Sequence, residues 1–299
     1  MSITYRQLEV FLAITQAETV SDAALMLGMS KSAVSQALSE LEARLGVKLF
    51  ERSRSRLMLS AEGLKLQPMA NELVERTQDI QSYFDSRSEG QLRLVCTLTI
   101  GSFLLADLFR DFQTRAGWLP QVHIANTSEV AELLLKFKAD VALIEGPVYS
   151  PELVTEPWLE DEMVVVAGQG HPLSRGEATW EELSKERWIL REDGSSTRVF
   201  FDTRIALHLN HPKVDVVVNS FESILGMVTN GMGITFMSSR VLNDPFYGRH
   251  LCKIACPTRF TRPLSFCMHR GKYQSRDLEE WLDVCRSWAK MRQGKFDIR

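Results

Sequence analysis

The sequence has no long apolar run, little cysteine and no surplus of positive charge. No stretch approaches the about 20 apolar residues that a membrane helix needs, which excludes a helical membrane span. A formal net charge of -3 excludes a uniformly basic coat for non-specific nucleic-acid binding, but not a small local basic surface. The 299 residues, 44% of them hydrophobic and 24% charged, instead indicate a globular protein of two or three folding units.

Motifs for metal binding, secretion and catalysis are also missing. The five cysteines contain no C-x-x-C pair and no nearby histidine cluster, so we expect reduced thiols, no metal and no cofactor. Residues 1–6 lack the layout of a signal peptide, so we expect a cytoplasmic protein. The sequence has no G-x-S-x-G elbow, P-loop, H-E-x-x-H or full G-x-G-x-x-G motif. We therefore predict no catalytic residues.

The first sixty residues have helical periodicity and well-placed capping residues. Ser21 is the predicted cap of a second helix, which ends at Gly28. Ser30 is the predicted cap of a third helix, from Lys31 to about Leu45. Two short helices joined by a tight turn have the shape of a helix-turn-helix.

The predicted third helix has two different faces. Its apolar residues repeat at intervals of four and three and predict a core stripe: Val34, Leu38, Leu41 and Leu45. The polar residues elsewhere on the helix are candidate contacts to DNA bases and phosphates: Lys31, Ser32, Ser35, Gln36 and Ser39. Taken alone, this face is equally compatible with an ordinary polar helix surface.

A short arginine-rich hairpin follows. Residues 49–52 and 56–59 are predicted strands around a Ser-Arg-Ser turn, and they bring Arg52, Arg54 and Arg56 together. A charge run is usually only a solvated surface. Beside a recognition helix in an otherwise acidic protein, however, it predicts a β-wing whose arginines contact DNA phosphates or the minor groove.

A long helix is predicted from Ser60 to about Ser88. It carries a heptad seam that we interpret as a dimer interface: Leu66, Ala70, Leu73, Thr77, Ile80 and Phe84. Packing of the seam on its own domain is the alternative, but a DNA-reading protein gains from pairing two subunits on two half-sites. Pro68 predicts a kink in the first turns or a later start of the free helix.

After residue 90, strands alternate with helices, which predicts an α/β domain with parallel sheets. Ligands of such domains bind beyond the carboxyl ends of strands, at helix N-termini. A single turn of this kind is more often only a helix cap. Three such turns, at residues 97–102, 126–128 and 193–198, together favour a binding cleft. The candidate effector-binding residues are Thr97, Thr99, Ile100, Gly101, Ser102, Glu145, Gly146, Pro147, Ser195, Ser196, Thr197 and Phe221.

At this point the sequence resembles the LysR-type transcriptional regulators. The N-terminal resemblance lies in residues 6–11, 23–27, 32–36, 49–52 and 59–63. It implies that the polar face of the third helix and the wing arginines contact DNA, and that the long helix forms the dimer interface. It also implies RNA polymerase as a candidate partner and a homotetramer as a further assembly.

The resemblance continues through the receptor region, at residues 99–101, 144–147, 231–234 and 262–264. It implies a two-lobed, Rossmann-like effector domain similar to the periplasmic binding proteins. The implied domains are a winged helix-turn-helix over 1–60, a linker helix over 61–89 and an effector domain over 90–299. Lobe I is expected at about 91–165 plus 265–299, and lobe II at about 166–264. Residues 156–162 resemble the YeiE-like branch of the family, which is associated with sulfite.

We therefore expect a regulator of double-stranded promoter DNA with a small, anionic effector, sulfite or another oxyanion. We expect N–H and O–H groups at the helix starts to meet the negative charge. Glu145 would repel a fully ionised anion unless one partner carries a proton, which a raised pKa of Glu145 would allow. Phe221 indicates a narrow cleft. The alternatives are a small organic acid or aromatic carboxylate as effector and, more remotely, a solute-binding receptor or an enzyme.

Overall fold

The computed structural model describes residues 2–17, 19–53, 56–84 and 92–296. Its N-terminal part is the predicted winged helix-turn-helix followed by a long helix. The elements are α1 (Tyr5–Ala17), α2 (Val20–Leu27), α3 (Lys31–Leu45), β1 (Phe50–Ser53), β2 (Arg56–Leu59) and α4 (Ala61–Phe84). Strands β1 and β2 pair antiparallel as the wing. Four predicted site residues are affected by the limits of the description: Arg54 lies outside the described residues, and so do the side chains of Arg52, Arg56 and Phe84.

The caps explain where the N-terminal helices begin and end. The Ser30 hydroxyl accepts the N–H of Ala33 at 3.2 Å, and Gly28 adopts the left-handed conformation with φ of 60°. Helix α2 begins earlier than we predicted. Its N-cap is Thr19 rather than Ser21, because the Thr19 hydroxyl accepts the N–H of Asp22 at 3.1 Å.

Helix α4 corrects part of the predicted heptad seam. Ala70 is fully buried in the hydrophobic core of the winged-helix domain, and Leu66 packs against that core. Ala70 therefore has no surface left to offer a second subunit, and our alternative of packing on the same chain applies at this end of the seam. Leu73 and Ile80 are 54% and 63% exposed and remain available. The Thr77 hydroxyl donates to the carbonyl of Leu73 on its own helix.

The effector part contains nine strands and seven α-helices among the described residues. The first half comprises β3 (Arg93–Cys96), α5 (Leu98–Phe103), α6 (Leu105–Ala116), β4 (Gln121–Ile124), α7 (Thr127–Leu135), β5 (Val141–Glu145) and β6 (Leu153–Gly168). The second half comprises α8 (Trp180–Lys185), β7 (Arg187–Arg191), α9 (Ser196–Phe200), β8 (Lys213–Val218), α10 (Phe221–Thr229), β9 (Thr235–Ser238), β10 (Leu251–Ile254), β11 (Phe260–His269) and α11 (Arg276–Phe296). Among the described residues, no helix is long and apolar enough to cross a membrane.

The main sheet is mixed, which corrects our prediction of parallel sheets. Its strand order is β10-β6-β11-β5-β3-β4, with β9 also paired to β6. Strand β3 is parallel to β4 and β5, whereas β11 is antiparallel to β5 and β6. The sequence pattern missed this because β6 and β11 are long strands that carry the chain between the lobes in opposite directions.

The two crossing strands define where the lobes meet. Strand β6 pairs with β9 from Met163 to Val166. Arg262 of β11 lies opposite Asp161 of β6 in the same register. The carboxyl ends of β3 and β5, which hold Thr97 and Glu145, reach the same region. The crossing therefore brings distant segments of the chain to one place between the lobes.

Candidate effector cleft and DNA-binding face

Arg262 lies in the candidate cleft region, where the two lobes meet, and is only 2% exposed. Its Nε donates to Oδ2 of Asp161 at 3.0 Å. Its Nη2 donates to the hydroxyl of Thr99 in lobe I at 3.1 Å, and its Nη1 donates to the hydroxyl of Thr197 in lobe II at 3.0 Å. One guanidinium group therefore holds hydroxyl groups of both lobes.

Glu145 lies beside this arginine, with 3.6 Å between its Oε2 and Nη1 of Arg262. Its Oε1 accepts the backbone N–H of Thr99 at 2.9 Å, and its Oε2 accepts the hydroxyl of Ser196 at 3.0 Å. Burial alone would raise the pKa of Glu145, but Arg262 and the hydrogen bonds lower it below its ordinary value. The raised pKa that we considered from the sequence is therefore wrong, and the carboxylate is held in its ionised form.

Asp161 completes the cleft with partners from lobe II. Its Oδ1 accepts the hydroxyl of Ser238 at 2.6 Å and Nε of Arg240 at 3.2 Å. We call Glu145, Asp161, Arg240 and Arg262 the cleft cluster. It contains two positive and two negative side chains, and each carboxylate is bound by several donors.

Contacts between the lobes surround the cleft cluster. The Phe103 ring of α5 meets the Phe221 ring of α10 edge to face, with centroids 5.4 Å apart, so Phe221 packs against the opposite lobe. On the α7 side, the hydroxyl of Ser128 approaches the carbonyl of Gly194 at 3.5 Å. Ser196 also approaches Gly146, where an added Cβ would lie 3.5 Å from that of Ser196.

The other predicted effector residues have different surroundings. Thr97, Ile100 and Ser195 are buried, and the Thr97 hydroxyl donates to the carbonyl of Leu143 at 3.4 Å. Gly101 is required by packing, because a Cβ there would lie 2.7 Å from the Ile124 side chain. Ser102 and Pro147 are exposed, in contrast to the buried members of the set.

Sequence reasoning missed the cationic centre of the cleft. We expected N–H and O–H groups alone to meet an anion, whereas the structure adds the guanidinium of Arg262. In the sequence analysis, Arg262 and Asp161 were included only in segments that carry the family resemblance, 262–264 and 156–162. The available signal was a lone arginine in a strand with no acidic residue, because a buried arginine there needs a partner from elsewhere in the chain.

The predicted DNA-reading face of α3 is separated from its core stripe. Val34 and Leu41 are fully buried in the winged-helix core. The five predicted contacts are all exposed: Lys31, Ser32, Ser35, Gln36 and Ser39. The Gln36 amide donates to Oε1 of Glu40 at 3.0 Å, which orients it along the helix. Arg52 and Arg56 lie on the wing strands by backbone position.

The cysteines offer no paired thiols near the cleft. All five are free, and three of them are buried: Cys96, Cys267 and Cys285. Burial raises the pKa of Cys96, the residue before Thr97, to about 12. This thiol is therefore protonated at neutral pH and unreactive, because the thiolate is the nucleophilic form.

Two family models together match most of the chain. The helix-turn-helix model of the bacterial regulatory proteins of the lysR family matches residues 5–64, and the LysR substrate binding domain matches residues 85–290. The chain belongs to the LysR family of transcriptional regulators. Members of this family are regulators and not enzymes, which confirms the prediction that the chain has no enzymatic function.

Individual relatives agree with this assignment. The chain is 38% identical over 287 residues to the uncharacterized HTH-type transcriptional regulator YeiE of Escherichia coli K12, covering 95% of this chain and 98% of that protein. It is 31% identical over 252 residues to the HTH-type transcriptional regulator CysL of Bacillus subtilis, covering 83% and 84%. Full-length OxyR from Pseudomonas aeruginosa has the same fold, with a TM-score of 0.72 at 21% identity over 95% and 98% of the two chains.

Proposed function

We propose that this LysR-type regulator binds promoter DNA as a dimer or tetramer and responds to a small anion between its lobes, sulfite or another inorganic oxyanion. The observation that carries the effector proposal is Arg262, whose buried guanidinium donates to hydroxyl groups of both lobes. An anion that draws on the same donors would change how the lobes hold each other. Binding to promoter DNA would place the protein in the cytoplasm, with RNA polymerase as a candidate partner.

The exposed polar face of α3 supports the DNA-binding proposal. Short hydroxyl side chains and the Gln36 amide match the donors and acceptors of base edges in the major groove. Lys31 lies at the start of the helix, where it suits a phosphate contact. The wing arginines would add phosphate or minor-groove contacts.

Replacing Gln36 tests the reading face. Gln36→Ala should cost about 1–3 kcal/mol at one base position and relax the preference there, because a base-edge contact is lost. The measurement is binding of the full-length protein to duplexes selected from a randomised pool. Gln113→Ala, the same change at an exposed glutamine of α6, is the control. Unchanged affinity and base preference in Gln36→Ala would show that the reading face lies elsewhere.

The exposed side of α4 supports self-association. Met69 is 63% exposed and lies on the same side of the helix as Leu73 and Ile80, so three large apolar side chains meet solvent there. Leu73→Glu should abolish dimerisation in sedimentation experiments, because it would bury an unpaired charge at the contact. Leu64→Glu is a matched control, since Leu64 is 57% exposed on another side of α4. A Leu73→Glu protein that stays dimeric would exclude this interface.

Glu145 restricts the anion that the cleft can take. Its carboxylate already accepts the Thr99 N–H and the Ser196 hydroxyl, which are donors that an oxyanion would use. An entering anion must therefore carry a proton to share with Glu145 or displace this side chain. Hydrogen sulfite carries one proton and is small enough for a cleft narrowed by Phe221. Sulfite is also the anion that the sequence resemblance suggests.

Titration calorimetry on the full-length protein tests the effector. Sulfite should bind the wild type, and Thr99→Val should weaken binding by about tenfold because one hydroxyl partner is lost. Thr114→Val is the control, since the Thr114 hydroxyl donates only along α6. Binding of simple carboxylates in place of sulfite would favour the organic-acid alternative. Equal sulfite binding by wild type and Thr99→Val would overturn the cleft assignment.

A further inference from the structure

Helix α4 presents a polar side to lobe I of its own chain. Gln67 and Asn71 are buried there although both are polar, and Glu75 follows one turn later. The Gln67 amide approaches the carbonyl of Lys136, which belongs to the loop before β5, at 3.4 Å. The residues of this side differ from Leu66, Ala70 and Val74, which face the winged-helix core. The linker helix thus contacts the DNA-binding domain and the effector domain with different residues.

A close backbone approach accompanies this contact. A Cβ added at Gly271, in the turn after β11, would lie 2.8 Å from the Cβ of Pro68. That separation is shorter than real side chains tolerate, so only glycine fits while α4 is docked. Pro68 lies inside the unbroken helix α4, and its ring packs against lobe I at Gly271.

Four charged side chains connect α4 to lobe I. Lys272 is 8% exposed, and its Nζ contacts Oε1 of Glu75 and lies 2.9 Å from Oδ1 of Asp140. Arg93 pairs with Asp140, with 3.2 Å between its Nε and Oδ2, and lies 4.0 Å from Glu75. We call Glu75, Arg93, Asp140 and Lys272 the junction cluster. Among the described residues, Oε2 of Glu75 and Nδ2 of Asn71 are buried without a hydrogen-bond partner.

The junction cluster lies at the opposite end of the strands that form the cleft. Arg93 begins β3, whose other end leads to Thr97 and Thr99. Asp140 precedes β5, whose last residue is Glu145. The N–H of Asp140 also donates to the carbonyl of Arg93 at 2.8 Å, which ties the two strand starts together. A shift of these strands on effector binding would therefore reach α4 through short, buried contacts.

We propose that the junction cluster and the Gly271–Pro68 contact form a latch that couples the inter-lobe cleft to the DNA-reading domain through the linker helix. Glu75, Lys272 and Gly271 are its positioning residues. This inference rests on the proposed function for its biological meaning, because it requires a ligand in the cleft and DNA on α3. The contacts themselves are independent of the identity of that ligand.

The first readout compares the affinity of the full-length protein for a duplex selected from a randomised pool, with and without saturating sulfite. In the wild type we expect sulfite to change the affinity by about 5- to 150-fold, the usual range of coupling between two sites. Gly271→Ala and Glu75→Gln should bind sulfite and duplex separately, with the change reduced to less than twofold. Gly176→Ala, where an added Cβ meets open space, and Glu72→Gln should keep the wild-type change.

The second readout needs no sulfite. Hydrogen exchange at the backbone N–H groups of Thr97 and Thr99 is followed with and without the duplex. In the wild type, duplex binding should alter this exchange at least severalfold, and in Gly271→Ala it should not. If sulfite fails to bind the wild type, the proposed effector is wrong, and the exchange experiment alone decides about the latch. The latch proposal would be overturned if both latch variants kept the wild-type change in duplex affinity on adding sulfite. It would also be overturned if duplex binding left the hydrogen exchange of Thr97 and Thr99 unchanged in the wild type.

Discussion

The protein holds two buried ion clusters at opposite ends of strands β3 and β5, and they are built differently. In the cleft cluster, every carboxylate is bound by hydroxyl or backbone donors in addition to an arginine, as with Ser238 on Asp161. In the junction cluster, Glu75 faces Lys272 with one oxygen, and its other oxygen is buried without a partner among the described residues. Among the described residues, every buried polar atom of the cleft cluster has a hydrogen-bond partner, whereas the junction cluster contains one that has none.

The difference appears in the ionisation of the two glutamates. Arg262 and several donors lower the pKa of Glu145 in spite of its burial. Burial raises the pKa of Glu75, and Lys272 offsets it only in part. A fully hydrogen-bonded buried network makes its surroundings rigid, whereas a buried polar atom without a partner costs free energy. We therefore expect the cleft cluster to be the more rigid of the two and the contact with α4 to be the more easily changed.

The largest expected effect follows from removing Arg262. Arg262→Met leaves Glu145 and Asp161 buried beside a single remaining cation, so we expect a loss of about 3–5 kcal/mol of unfolding free energy. Chemical denaturation of the full-length protein at neutral pH measures it. Arg259→Met, at a mostly exposed arginine three residues earlier, should change stability by less than about 0.5 kcal/mol. Equal unfolding free energies of the two variants would show that the buried Arg262 stabilises the fold no more than an exposed arginine does.

A smaller effect is expected from neutralising Glu145. At neutral pH, Glu145→Gln should cost about 1.5–3 kcal/mol, because hydrogen bonds to a charged acceptor are lost. The pKa of Glu145 in the folded protein is lowered from its ordinary value of 4.5, so its ionisation stabilises the fold at pH values above 4.5. This stabilisation is lost as the pH falls through the folded-state pKa. The stability difference from the wild type should therefore shrink below pH 4.5. A difference that stays constant in acid would contradict this account.

The smallest effect, with the opposite pH trend, is expected for Glu75. Because its folded pKa is raised above 4.5, the ionised form costs stability at neutral pH, and the cost disappears as the pH falls through the folded pKa towards 4.5. Glu75→Gln should thus be at least as stable as the wild type at neutral pH, within about 1 kcal/mol, and equal to it at pH 4.5. Denaturation curves at both pH values measure this. A large loss of unfolding free energy at neutral pH would show that the ionised Glu75 stabilises the fold, as Glu145 does.

The winged-helix domain could be predicted from the sequence because its signals are local. Gly28 and Ser30 are caps that act within one turn, and the structure places both of them as expected. The one error, Thr19 in place of Ser21, arose because two hydroxyl residues lie close together before the same helix.

The cleft could be predicted only in outline because its contacts connect distant residues. Thr99 and Ser196 are recognisable as hydroxyls at helix starts, and the structure brings both to Glu145. Arg262, however, meets Thr99 across 163 positions of sequence and Asp161 across 101. No spacing rule reaches that far, and the antiparallel crossing of β6 and β11 that joins them was not foreseen. The same holds for Ala70, whose burial depends on how α4 lies on the winged-helix core.

The most direct test of the account is the affinity of the wild-type protein for its selected duplex, measured over a range of salt concentrations with and without sulfite. We expect the logarithm of the affinity to fall linearly with the logarithm of salt concentration, because Lys31 and the wing would contact phosphates. We also expect sulfite to change the affinity severalfold at fixed salt. A duplex affinity that stays unchanged with sulfite, sulfate and simple carboxylates would contradict the claim that an anion in the Arg262 cleft controls DNA binding.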